Sequence, residues 1–283
     1  MGFAPRFDLT PRMLRQLKAI EQTSGFLKAV RLRPGWIAEV RSRTHVREAL
    51  ASLQIEGSSL TLEAAFALSR ELPARELRDS EREFCNYLRT FEAVDRLCDQ
   101  RDAVVTKGDL RSVHRLLMDG VRGGRRQAGE FRREDVKVGD VEGDAVVVHH
   151  HPPGWLQVEP ELEALLAWIE GAKVKGDGPD DPWVHPVILA GVAQHRLVWI
   201  HPFLDGNGRT ARMLTTLLLH QRGYDFRFLF ELSSYYNDNL DAYYAALRTA
   251  DVSGDYTAWL TYFLGGFAYQ MVGIQDLARG GEG

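Results

Sequence analysis

Cysteine is nearly absent: the only two, Cys85 and Cys98, both fall inside one stretch of helical pattern. That excludes a disulfide framework and a cysteine-based zinc site, and it points to a reducing compartment. Excess positive charge is absent too. The net charge of -4 argues against a sequence-independent grip on a nucleic-acid backbone. The one local exception, "VRGGRRQAGEFRRE" with Arg122, Arg125, Arg126, Arg132 and Arg133, has no interleaved aromatic residues and reads as a solvated loop. No GxxxxGK[ST] phosphate loop occurs, and no internal repeat. The N-terminal "MGFAPRFDLT" lacks the apolar centre of a signal peptide. The uncharged run "YTAWLTYFLGGFAYQMVGIQ" approaches membrane-spanning length. Its Thr, Gln, Tyr and paired Gly residues make it a buried helix instead. These absences predict a cytoplasmic protein with neither a membrane nor a nucleic acid as partner.

What is present is helical periodicity. In "EREFCNYLRTFEAVDRLC", Phe84, Tyr87, Leu88, Phe91, Val94 and Cys98 recur at three- and four-residue steps opposite charged positions. Similar patterns predict helices near 8–32, 36–54, 59–72, 109–118, 159–171, 184–199, 208–221, 237–250 and 255–275. Pro73, "KGD", "GDGPDDP" and "SGD" punctuate them. One segment differs: "EDVKVGDVEGDAVVVHHHPP" sets two short Val-rich runs around "VEGD", which predicts a β-hairpin. The reading is a mainly α protein with a single hairpin. It divides into an N-terminal helical region (1–62), a core (63–275) and a short tail (276–283).

Chemistry concentrates in "HPFLDGNGRTAR", residues 201–212. The motif links two apolar helical segments and ends at the start of the second. Gly206 and Gly208 permit left-handed backbone angles and a close approach of ligand to main chain, and Asn207 tolerates such angles better than most residues. Free N–H groups at a helix start, with the Asn207 side-chain amide as a further donor, make an anion site. Arg209 and Arg212, three apart, can converge on one anion, which suits a polyphosphate. Asp205 adds a hard oxygen ligand for Mg²⁺ beside phosphates, and His201 is the group best able to take a proton near neutral pH.

This segment matches the signature HxFx[DE]GNGRxxR at every fixed position, and the chain resembles Fic-domain proteins. The likeness extends over "EREFCNYLRTFEAVDRL", "AGEFRREDVKVG", "HPVILAGVAQHRLVWIHPF" and "DAYYAALRTADVSGDYTAWLTYFL". The resemblance implies the Fic fold, a helical bundle with one hairpin flap near the active site. It also implies transfer of AMP from ATP to a protein hydroxyl, with Mg²⁺ or Mn²⁺. On that basis His201 is the base and Asp205 holds the metal. Gly206, Asn207, Gly208 and Arg209 cradle the phosphates, Arg212 binds the γ-phosphate, and Phe203 packs in the core. Tyr243, Tyr244 and Asp251 border the adenine, and the flap (136–151) docks a target protein by strand addition. "SLQIEG" fits the family's inhibitory pattern [ST]xxxE[GN], which makes Ser52 and Glu56 the inhibitory residues, with Glu56 pairing to Arg212. The resemblance also admits a homodimer, an enzyme that additionally or mainly removes AMP, transfer of another nucleotide, or a non-catalytic interaction module. The "HHH" run at 149–151 lacks HExxH-type spacing, and its adjacent residues face opposite ways, so it reads as a metal-free cluster at the flap end.

Overall fold

A computed structural model describes residues 2–98, 104–121, 127–142, 145–172, 183–224 and 229–280. Arg122, Arg125, Arg126 and the "GDGPDDP" breaker lie outside these. Helices dominate: α1 (Pro11–Ala29), α2 (Pro34–Ile55), α3 (Leu62–Arg70), α4 (Asp79–Cys98), α5 (Lys107–Leu117), α6 (Val158–Gly171), α7 (Pro186–Ile200), α8 (Asn207–Gln221), α9 (Leu232–Asp238), α10 (Leu240–Ser253) and α11 (Thr257–Gly280). Among the described residues a single hairpin, β1 (Val138–Glu142) and β2 (Ala145–His150), interrupts them. It pairs antiparallel with a register irregularity between Val138 and Gly139.

Two helices form the centre. In α7 the sequence "PVILAGVAQHRLVWI" is apolar on every side, and nearly all of its residues are buried. Such a helix is stable only when enclosed, and α8, α6 and α11 enclose it. Gly191 faces α11 directly. A Cβ there would lie 2.9 Å from Phe263, and the Gly191 carbonyl accepts a hydrogen bond from Trp259 at 2.8 Å. The uncharged C-terminal run is therefore part of α11, with Trp259, Phe263 and Phe267 in the core. No described helix is long and apolar enough to cross a membrane.

The N-terminal helices are built into the same core, with α1 packed on α11 and α2 packed on α9 and α4. Start and stop signals follow local chemistry. Thr10 caps α1, and Thr106 with Asp109 forms a capping box on α5. The end of α2 is a Schellman motif: Ser58 N–H bonds the Leu53 carbonyl and Gly57 N–H the Gln54 carbonyl, with Gly57 at φ +87°. Glycine is needed there, and it stops the helix immediately after Glu56.

Between α4 and α5 the buried Asn86 donates to the carbonyls of Leu117 at 3.1 Å and Asp119 at 2.8 Å, closing the end of α5. Removing that amide leaves buried carbonyls unpaired, which costs about 1–3 kcal/mol. Asn86→Ala is expected to lower stability by about that amount, seen as a lower urea midpoint at unchanged slope.

Candidate active site

Residues 201–206 turn the chain between α7 and α8, and the turn is closed from within. His201 ends α7 in the left-handed region (φ 50°, ψ 60°) and is the sole non-glycine residue with positive φ among those described. Such a conformation costs of order 1 kcal/mol or more, and it persists only where the surroundings enforce it. Asn207, the first residue of α8, clasps Phe203 on both sides: its Oδ1 accepts from Phe203 N–H at 2.9 Å and its Nδ2 donates to Phe203 C=O at 2.8 Å. The Asn207 side chain is thereby committed to the turn, and what it offers a ligand is its backbone N–H. Gly206 sits at φ +74°, and a Cβ there would meet Met118 Sδ at 2.8 Å.

A residue that sequence reasoning missed supports this turn from behind. His114 on α5 stacks on Phe203 with ring centres 3.7 Å apart. Its Nε2 donates to the Asp205 carbonyl at 2.9 Å, and its Nδ1 accepts from Gly129 N–H at 2.8 Å. One nitrogen must donate and the other accept, so the ring is neutral. Burial lowers its pKa to about 4, in agreement. Its partner Asp205 is 91 residues away, and no local pattern announces such a pairing.

The first three N–H groups of α8, from Asn207, Gly208 and Arg209, have no intrahelical acceptor. Arg209 is buried and bridges Glu83 at 3.1 Å and Asp205 at 3.3 Å. Asp205 keeps a half-exposed side chain, and its Oδ1 accepts both Gly206 N–H and Arg209. Among the described residues no group of three or more His, Cys, Asp or Glu could hold a metal. A lone carboxylate of this kind suits a metal that takes its other ligands from phosphate and water.

Arg212 is enclosed. Its Nε donates to Ser52 Oγ at 2.7 Å, and its Nη2 donates to the Ser52 carbonyl at 3.0 Å and to Glu56 Oε1 at 2.7 Å. Burial alone would lower its pKa. Glu56, Tyr243 and Tyr87 outweigh that and hold it above the usual arginine value. Glu56 reaches in over Gly208, where a Cβ would stand 2.4 Å from its Oε1. The end of α2 is latched further along its length. Gln54 accepts from Asn237 at 3.0 Å, the Ile55 carbonyl accepts from Tyr244 at 3.2 Å, and Glu48 accepts from both N–H and Oγ of Ser233 at the start of α9. Burial raises Glu48 to about 7, against those Ser233 bonds.

All this surrounds a cavity of about 200 Å³ bordered by Glu56, His201, Gly208, Arg212, Tyr243, Tyr244, Asp251 and the flap residues Val138, Gly139, His149 and His150. Tyr243 is buried and stacks on Tyr236 at 4.5 Å, whereas Tyr244 is exposed. Asp251 lies between His150 (3.4 Å) and His195 (3.2 Å), so the flap-end histidine cluster is tied to a carboxylate. Burial, and then the neighbouring His150, lowers His201 to about 4. His201 Nδ1 is buried without a hydrogen-bond partner among the described residues.

Residues 104–219 match the Fic/DOC family. The chain is 26% identical over 215 residues to the protein adenylyltransferases Fic of Drosophila melanogaster and Culex quinquefasciatus, covering 74% of this chain. It spans 39% of the length of those curated relatives. Among solved structures, a Fic family protein from Desulfovibrio desulfuricans G20 superposes with a TM-score of 0.78 at 25% identity, over 96% of this chain and 76% of that one. A Fic domain containing signaling protein from Bacteroides thetaiotaomicron superposes at 0.76 and 19% identity, over 95% and 98%. The latter speaks for the fold alone.

The buried histidines give a pH prediction. In NMR titrations of the folded protein, His201 and His114 are expected to titrate near pH 4, against 6.5 for an unperturbed histidine. Their pKa values are depressed, so below about pH 6.5 the unfolded chain takes up protons that the folded one refuses. These two groups therefore withdraw stability as pH falls from about 6.5 toward 4. Midpoints near 6.5 for both would refute their enclosure.

Proposed function

Residues 104–219 form a Fic/DOC family domain, and from that premise we propose that the protein is an adenylyltransferase, held in check by its own Glu56. It moves AMP from ATP to a Ser, Thr or Tyr hydroxyl of a target protein. One observation carries this reading: His201, the open N-terminus of α8 and the Glu56–Arg212 pair all border one cavity.

In the proposed reaction the hydroxyl oxygen bonds to the α-phosphorus, and its proton passes to the His201 ring. The bond from the α-phosphorus to the oxygen bridging it to the β-phosphate breaks, and pyrophosphate leaves. A base at His201 must be neutral at working pH, and burial supplies that condition. The backbone at Gly206, Asn207 and Gly208 receives the phosphates at the positive end of α8, with Arg209 holding Asp205 and the turn in place. Asp205 is the residue that would hold Mg²⁺ or Mn²⁺, which supplies charge neutralisation on the phosphates when bound. Tyr243, Tyr244 and Asp251 line the same cavity and on this reading would meet the nucleoside. The flap is a two-stranded sheet with free outer edges among the described residues, which favours docking of an extended target segment by strand addition.

Glu56 occupies the partner position on Arg212 that a γ-phosphate would take. While α2 stays latched, ATP can enter only with its terminal phosphate displaced, and the α-phosphate is then out of line for attack. Removal of AMP from the modified protein, with Glu56 positioning a water, is the reaction that would need this same carboxylate.

The test is the intact mass of Glu56→Gly after incubation with Mg²⁺ and ATP, beside wild type and Glu56→Gly/His201→Ala. An AMP adduct is expected on Glu56→Gly or an added target, at least tenfold above wild type. The double variant should show none while still binding ATP. Failure of Glu56→Gly to bind ATP would sink the nucleotide reading. ATP binding without His201-dependent transfer would sink the proposed chemistry, and loss of a preformed adduct only when Glu56 is present would assign the reverse reaction.

A further inference from the structure

Arg132 is a buried arginine that the transfer chemistry leaves without a role. The arginine-rich segment 121–134 reads from sequence as a solvated loop; the structure corrects this for Arg132, which is 2% exposed. Its guanidinium has no carboxylate within hydrogen-bond distance among the described residues, and Asp135 acts on it only as a nearby charge. It is satisfied by carbonyls instead. Nε donates to His201 C=O at 2.8 Å, and Nη2 donates to Ile200 C=O at 3.4 Å. The backbone N–H of Arg132 adds a bond to Pro202 C=O at 2.9 Å. Three successive carbonyls at the end of α7 are thus held by one residue, at the point where His201 takes its left-handed conformation.

The rest of the guanidinium faces the flap. Nη1 donates to Glu134 C=O at 2.9 Å, four residues before β1, and Nη2 also donates to Pro153 C=O at 2.5 Å, three residues after β2. Four carbonyls from three stretches of chain therefore converge on one planar group. Those stretches are the segment leading into the flap, the segment leading out of it, and the helix end that carries His201. A planar fork with five donors can serve all of them, and a lysine ammonium, a point charge with three donors, cannot.

We propose that Arg132 is a positioning residue that fixes both ends of the flap to the backbone of His201, so that a hydroxyl presented on the flap and the base that receives its proton share one rigid frame. The proposal rests on the transferase reading for its kinetic consequence but not for its geometry. A hydroxyl misplaced by about 1 Å relative to its base loses on the order of 100-fold in rate, whereas ATP is held by α8 and does not depend on this clamp.

The experiment places Arg132→Lys and Arg132→Gln in the Glu56→Gly background and reads transfer to a target protein, ATP affinity and His201 ring resonances, with amide exchange of Gly139 and Val148 on the flap. Expected are a fall in kcat of about 100-fold for Arg132→Gln and about 10-fold or more for Arg132→Lys, with ATP affinity within about twofold. A shifted His201 resonance and faster flap exchange should accompany them, with α11 exchange unchanged. The charge-retaining Arg132→Lys is the variant that keeps the test meaningful if Arg132→Gln does not fold. Unchanged kcat in Arg132→Lys would overturn the proposal, as would rate and ATP affinity falling together with α11 protection. If Glu56→Gly itself transfers nothing, the transferase reading fails. The clamp is then judged by His201 and flap exchange alone, and unmoved signals there overturn it.

Discussion

Burying a guanidinium removes it from water, and the surrounding chain must then replace every hydrogen bond it gave up. Arg212, in the second turn of α8, sets this demand at the centre of the molecule, and α2 meets it with Ser52 and Glu56. The spacing follows from helix geometry. Residues 48, 52 and 56 are one turn apart and share a face. That face meets α9 through Glu48, the Arg212 side chain through Ser52, and the cavity through Glu56. The N-terminal helices are thus tied to the core by polar bonds as well as by packing. Opening the site means leaving Arg212 in need of another anion, and a phosphate is the natural replacement.

The turn that precedes α8 obeys the same logic at smaller scale. Its polar groups are consumed internally by Asn207, His114 and Arg132, which leaves very few free to reach a ligand. Those that stay available are the ones a phosphoryl transfer needs: helix-start N–H groups, one half-exposed carboxylate and one ring nitrogen. Rigidity here costs no reorganisation at the moment of reaction, the condition under which fixed dipoles are most effective.

Much of this was legible in the sequence. The long helices announced themselves by period, because each presents an apolar face or is apolar throughout, and the Val-rich runs around "VEGD" marked the hairpin. The helix expected at 237–250 is α10, which starts at Leu240 because the Asn239 side chain caps it through Ala242 N–H; the short α9 before it was not expected, having too few turns to show a period. The helix expected to end at 275 continues to Gly280. The site's motif was legible because its residues are contiguous, and Glu56 because it lies in a recognisable pattern. Glu48, His114 and Arg132 were not. Each draws its role from partners tens to almost two hundred residues away, and nothing in a local window distinguishes a buried arginine from a solvated one.

Gly208 carries a last consequence. The missing side chain at that position is what lets Glu56 come to rest against α8, and the same bare backbone is the surface a phosphate would approach. Lock and passage share one gap. A side chain at 208 would push the Glu56 carboxylate aside and cover the helix-start N–H groups together. On the proposed reading the two are separated only by a movement of α2, which can withdraw Glu56 from Arg212 without altering the backbone at Gly208.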